Sequence, residues 1–159
     1  MNLAIIGDNL GYLLLGAWPY GPVGGLALTL ILSGLSGLAS AGLGLVLGIG
    51  LAMSTGTARG ALTLALGFFR AVPIVMLIFW SYFLLPILFG VSVPEMGTVV
   101  VALSLVGGAY LSYGVAAGIE SIGRSQWEAG LALGFGRWRI LRFIVLPQAL
   151  RAMAPSFVN

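Results

Sequence analysis

From Asn9 to Ala58 the chain carries no charged side chain, and two further stretches, Ala71 to Pro94 and Met96 to Ile119, are also free of charge. A water-soluble domain cannot be built this way, because about a quarter of its residues are normally charged to meet solvent. Here 60% of the 159 residues are hydrophobic and 7% charged, with a mean hydropathy of +1.12. The solvent around such a chain is lipid. In lipid each backbone polar group needs an internal partner, and helices supply it. The fold class expected is therefore an all-α integral membrane protein, a multi-span helical bundle whose length suits one domain.

A helix needs about 20 apolar residues to cross the hydrocarbon core. That places spans near residues 25–53, 71–89 and 97–119, with residues 1–24 as an external, interfacial segment carrying Trp18 and Tyr20 at the headgroups. Asp8 interrupts the first apolar run and no basic residues precede it, which argues against a signal peptide. The apolar stretch 60–69, bracketed by Arg59 and Arg70, reads as an interfacial elbow into the second span, with Pro73 bending its first turn. Three spans put Asp8 and Glu95 on one side and Arg59, Arg70, Arg124, Arg137, Arg139 and Arg142 on the other. The positive-inside rule makes the arginine side cytoplasmic and the N-terminus external. Two rows of small residues, Ser33-Gly37-Ala41 and Ser40-Gly44-Gly48, offer flat faces for helix packing. Trp80, Tyr82 and Tyr110 read as packing or interface aromatics rather than a ligand box.

What is missing narrows the chemistry. There is no cysteine, histidine or lysine, so thiolate metal sites, His-based triads and the phosphate-loop lysine are all absent. The pI of 9.8 comes from arginine alone and fits a cytoplasmic membrane face rather than nucleic-acid binding. An enzyme in the bilayer needs paired acids or an activated nucleophile, and the acids lie outside the expected spans. An ion-coupled carrier or channel without an ATPase is the alternative transport reading. It calls for ionisable groups within the spans, and none falls inside the three as drawn.

The segment 120–142 is polar enough to be a loop. Ser125 followed by Glu128 is a capping-box pattern, opening a helix over 125–133 with Trp127, Leu131 and Phe135 along one side. Gly134 stands where a residue with positive φ would end it. So short a helix is unstable alone in water and needs something to pack against.

Glu128-Ala129-Gly130, then Gly134, then Ile144-Val145-Leu146-Pro147 resemble the cytoplasmic E-A-A-x-x-x-G and I-x-L-P motif of bacterial ABC importer permeases, with both gaps matching. Gly130 replaces the second alanine. Gln148-Ala149-Leu150-Arg151 with Pro155 and Asn159, Phe69-Arg70-Ala71-Val72-Pro73, Gly118-Ile119-Glu120-Ser121-Ile122 with Gln126, and Gly25 with Thr29-Leu30 are similar to the polar amino-acid branch of that family. The likeness runs over residues 25–159. It implies a type I importer fold with a fourth span begun at 144–159 and cut short. It also implies a bacterial inner-membrane location and a second, identical or homologous, permease subunit. Cytoplasmic ATP-binding subunits would carry the ATP and magnesium, and an external solute-binding protein would deliver the amino acid. This chain would then be no enzyme and hold no cofactor or metal of its own. Glu128, Ala129, Gly130, Gly134, Ile144, Leu146 and Pro147 would couple it to the ATPase, with Glu128 as anchor and Pro147 setting the start of the fourth span. Arg70, Pro73, Tyr110 and Tyr113 would line the substrate pathway. The branch often has S-E-x-x-R-x-G-I in the third span, and Tyr113 and Ala116 stand at its two charged positions.

Because the chain has no cysteine of its own, orientation is testable without background. Cysteines replacing Ser92 and Thr98 should react with an impermeant thiol reagent added to intact cells. One replacing Ser125 should react only after permeabilisation.

Overall fold

The structure, a computed structural model, describes residues 7, 9–90 and 94–158, with side chains through Ala154. Asp8, Ser92 and Asn159 lie outside the described residues, as does the side chain of Pro155. The order is α1 (Leu10–Leu15), α2 (Gly25–Met53), α3 (Gly56–Ala71), α4 (Ile74–Phe89), α5 (Glu95–Ser121), α6 (Arg124–Ala132), α7 (Arg137–Ile140), a π-helical turn (Leu141–Val145) and α8 (Leu146–Val158). Among the described residues there is no strand, only a bridge between Gly16 and Val23 that turns the chain from α1 into α2. A Cβ on Gly16 would sit 2.6 Å from the Gly24 backbone, so this turn is closed to other residues.

Two helices, α2 with 29 residues and α5 with 27, are long and apolar enough to cross a membrane. They pack against each other in parallel: Gly107 meets Ser40, Gly108 meets Leu43 and Gly44, and Gly48 meets Ser112 and Val115. Glycine and serine on both faces bring the backbones together, and dispersion between close backbones replaces the hydrophobic drive that lipid removes. Ser40 donates to the Leu103 carbonyl at 3.5 Å across this contact. Ser112 turns back on its own helix and donates to Ala109 at 2.7 Å. Of the two small-residue rows, Ser40-Gly44-Gly48 is thus the interface. Gly37, in the other, has nothing within 4 Å.

Parallel neighbours oblige the intervening chain to cross back, and it does so in two pieces. α3 and α4 meet at 103°. Pro73 has no N–H and disfavours helix at the residue before it, and Val72 accordingly sits at φ −78°, ψ 130°. Progress along α5 is antiparallel. Arg59 at the start of α3 reaches Glu120, Arg70 at its end reaches Tyr110 and Tyr113, and Ile78–Phe83 of α4 face Glu95, Thr98 and Val99.

This corrects the reading of 60–69 as an interfacial elbow. α3 is the first half of the return crossing, and α4, with 16 residues, is about 24 Å long, too short to span alone. Arg70 therefore does not belong with the arginines of one membrane face. Tyr110 and Tyr113 precede Glu120 by ten and seven residues, so the guanidinium lies about 10–15 Å inside the level of Glu120. The spans are not free of ionisable groups, and the sequence ground for setting aside an ion-coupled carrier disappears.

After α5 the chain turns at Ile122–Gly123 into α6, and from Arg137 onward it is helical again, seven residues before the expected fourth span. Ile140, Leu141, Val145, Ala149 and Met153 pack on Val115 and Ile119 of α5. Pro147 does not set the start of this helix but lies inside it. Its ring lacks an N–H and would crowd the carbonyl of Phe143, four residues back. The π-helical turn, with one more residue per hydrogen-bonded ring, falls at that place.

Thr98 is 1% exposed, its hydroxyl donating to the Glu95 carbonyl at 2.6 Å. A cysteine there is shielded from reagent, and the orientation test rests on positions 92 and 125.

Gly48→Val should be costly, since a Cβ at Gly48 falls 2.5 Å from that of Val115 and 2.7 Å from the Ser112 carbonyl. Overpacking of this kind costs about 1–3 kcal/mol. The thermal midpoint of the purified protein in detergent should drop, while Gly37→Ala should leave the α2–α5 contact unchanged.

Candidate functional site

Two regions carry the residues singled out in the sequence, one inside the bundle and one beyond its arginine-rich end. Inside, Arg70 ends α3, and its guanidinium carbon lies 4.8 Å from the ring centre of Tyr110 and 4.6 Å from that of Tyr113. The two tyrosines are three apart on α5 and so share one face. Cation–π contact of this kind contributes about 0.5–2 kcal/mol, more where water is excluded. Tyr113 also donates its hydroxyl to the Thr63 carbonyl at 3.3 Å, tying α3 to α5. Its hydroxyl is therefore engaged rather than free. Arg70, Tyr110 and Tyr113 are thus brought together, while Pro73 lies three residues beyond Arg70 at the break.

Beneath the tyrosines, Ala116 is 3% exposed in a cluster with Leu51, Leu66 and Ala109. Where the branch often carries an arginine, this chain has an alanine sealed in apolar packing. At the end of α5, Arg59 donates to Glu120 at 2.7 Å, both side chains nearly half exposed. Sequence reasoning placed these two on one side of the membrane but did not pair them. A shared side and opposite charge were the available signals.

Beyond α5, the helix α6 has two faces. Trp127 is half-buried against the core, and Gly130 is buried under Ile140. Arg124, Ser125, Glu128, Ala129 and Ala132 are exposed on the other side. A Cβ on Gly130 would lie 2.6 Å from Cγ1 of Ile140. The departure from the second alanine of the motif thus goes with α7 seated directly on the α6 backbone. A cavity of about 240 Å³ opens between this hairpin and the end of α2, lined by Ala52, Met53, Thr55, Trp127, Leu131 and Arg137.

The capping box does not form. α6 begins at Arg124 behind Gly123, with no side-chain cap. Ser125 already lies in the first turn, where its hydroxyl is past the capping position. The other end follows a Schellman motif: Gly134 has φ +79°, its N–H bonds Leu131 at 2.9 Å, and the Phe135 N–H bonds Gly130 at 3.0 Å. Of the remaining motif residues, Ile144 and Leu146 are half-buried against the α5–α8 cluster and Pro147 is exposed on the last helix. The motif is therefore divided. Glu128 and Ala129 face outward, while Gly130, Ile144 and Leu146 hold the hairpin and the last helix to the bundle.

Residues 44–159 match the family described as binding-protein-dependent transport system inner membrane component. The chain belongs to that family. As a member it is an integral inner-membrane protein, consistent with its apolar helices. The chain is 37% identical over 139 residues to the arginine transport system permease protein ArtQ of Bacillus subtilis, covering 85% of this chain and 62% of ArtQ. It is 39% identical over 98 residues to the glutamate/aspartate import permease protein GltK of Escherichia coli, covering 57% of this chain and 44% of GltK. A crystal structure of an amino acid ABC transporter with histidines superposes with TM-score 0.65 at 25% identity, over 82% of this chain and 60% of the other. The chain thus spans less than two thirds of the length of these relatives.

Tyr113→Phe should be mild. It removes one bond to Thr63, worth about 0.5–1.5 kcal/mol, and leaves the ring on Arg70. A shift of a few degrees in thermal midpoint is expected, with the protein still monodisperse in detergent.

Proposed function

We propose that this chain is the membrane-spanning permease subunit of an ATP-driven amino-acid importer, lining part of the pathway and coupling to cytoplasmic ATP-binding subunits through α6. Family membership supports the importer reading, and the named functions of ArtQ and GltK support an amino acid as cargo. The observation that carries the coupling role is the two-faced helix α6. Its inner side is locked to the bundle by Trp127 and Gly130, and its outer side presents Glu128 and Ala129. A helix of 9 residues is not stable alone in water, and the outer half of this one is exposed, with no partner among the described residues.

The partners in this reading are two ATP-binding subunits, a second permease subunit and an external solute-binding protein, with the N-terminus of this chain outside. ATP-driven closure of the ATPases displaces α6. Because Ile140 sits on the Gly130 backbone, that displacement passes to α7 and α8. It passes to α5 through Trp127 and its neighbours. Arg59–Glu120 extends it to α3, whose far end is the break in the crossing. An interface biased by ligand in this way shifts the bundle between two packed states. Ion-coupled transport without an ATPase remains the alternative, and Arg70 is the residue it would use. Membership in a binding-protein-dependent family weighs against it.

Glu128→Ala removes an exposed carboxylate that caps nothing, so the permease should stay folded. ATPase co-purification and uptake should fall. Gly134→Val forces a β-branched residue to positive φ, at about 1–2 kcal/mol, and should disturb the hairpin with the same two consequences. Membrane amounts should stay near wild type in both. Unchanged ATPase association together with unchanged uptake in both variants would reduce α6 to a structural hairpin.

A further inference from the structure

The helical segment that leaves the hairpin, from Arg137 through the π-helical turn, has a mixed outer face. Trp138 and Arg142 are four apart, as are Arg139 and Phe143, so these four share one side. All are exposed, Trp138 by 59% and Phe143 by 70%, while Ile140, Leu141 and Val145 are buried against the bundle. Arg142 lies 5.6 Å from the ring centre of Phe143. Among the described residues Arg124, Arg137, Arg139 and Arg142 form no ion pair, and the sequence has no acid between Ala129 and Asn159. Water does not favour the two bare rings, and hydrocarbon does not accept the guanidiniums. The headgroup layer takes both, because aromatic rings settle there and arginine stems lie along apolar surface with the charge outward.

A second feature lies directly inward of this face. A cavity of about 420 Å³ opens between α2, α5 and α8, lined by Ala41, Leu45, Leu111, Val115 and Leu150. Its walls are apolar side chains throughout, and Ala41 and Leu150 are exposed at its edge. Leu111 and Val115 precede Glu120 by nine and five residues, so the cavity lies about 8–14 Å inside the level of the Arg59–Glu120 pair. Leu150 follows Phe143 by seven residues, close to two turns and about 10 Å along the same side of the helix. Cations and rings therefore stand at the mouth of a dry slot at acyl-chain depth. A second copy of this chain would bring like charge to that mouth, whereas an anionic lipid brings the opposite charge and a chain to fill the slot.

We propose that this face and cavity bind an anionic phospholipid of the leaflet at the arginine-rich end. The headgroup phosphate is held by Arg139 and Arg142, with Trp138 at the same level and one acyl chain in the cavity. Guanidinium is a planar donor array matched to phosphate, and juxtamembrane clusters of basic residues are drawn to anionic lipid.

The experiment places the full-length protein in nanodiscs of phosphatidylcholine. A trace of phosphatidylglycerol with a diazirine on its acyl chain is compared with the matching phosphatidylcholine probe, and the cross-linked residues are located by peptide mass spectrometry. In wild type the phosphatidylglycerol probe should label residues 41–45 and 150 about tenfold to thirtyfold more than the phosphatidylcholine probe, the preference expected from two basic residues near an anionic headgroup. High salt should reduce that preference. Arg139→Gln with Arg142→Gln should bring the two probes level. Arg139→Lys with Arg142→Lys should keep most of the preference, which separates lost charge from lost fold. Ala41→Phe fills the cavity and should lower labelling at Leu150 by both probes. Equal labelling of wild type by the two probes, or a preference unchanged in the double glutamine variant, would overturn the proposal. So would labelling that avoids residues 41–45 and 150, which assigns the cavity to a protein neighbour. Loss of the wild-type preference when ATP-binding subunits are bound would assign the arginines to that partner instead.

Discussion

The parallel contact between α2 and α5 is the constraint from which the rest of the architecture follows. Glycine at 44, 48, 107 and 108 lets two long helices approach with backbones close, the arrangement that lipid rewards because it offers no hydrophobic drive of its own. Once two successive long helices lie parallel, the chain between them must return across the same thickness. It has only α3 and α4, of 16 residues each, with a proline between them. Neither covers the distance alone. The return is therefore a broken crossing, and its break falls within the apolar layer rather than at the surface.

A break at that depth has consequences for polar groups. Amides at the start of α4 lose their intrahelical partners, and in lipid such groups are tolerated only where protein or water meets them. Arg70 stands at the same level with its charge on two tyrosine faces. The crossing thus concentrates, at one point, the features that a lipid-facing helix would exclude.

The hairpin beyond α5 solves a different problem. The short helix α6 is held to the bundle on one side and exposed on the other. Gly130 beneath Ile140 supplies the rigid side, because bare backbone admits the isoleucine directly. Gly134 ends the helix with both Schellman bonds made, which engages the carbonyls of Gly130 and Leu131 in its last turn. Pro147, downstream, is carried in a helix that widens to π geometry at the residues where its ring would clash.

Much of this was legible in the sequence. Charge-free runs fixed the solvent as lipid, because no arrangement of 7% charged residues can cover a water-soluble surface. The small-residue rows announced close packing, the glycine at 134 announced a helix end, and the spaced motif from Glu128 to Pro147 announced the family. The depth of Arg70 was not legible. An arginine at a helix end reads the same whether the helix lies on the membrane or climbs through it, and only the packing of α3 along α5 decides between them. Which of the two small rows is the interface, why Ser125 caps nothing, and how Pro147 sits inside a helix were likewise settled by neighbours remote in sequence. Local pattern sets what each segment can form. Tertiary contact sets how deep it lies and which face it shows.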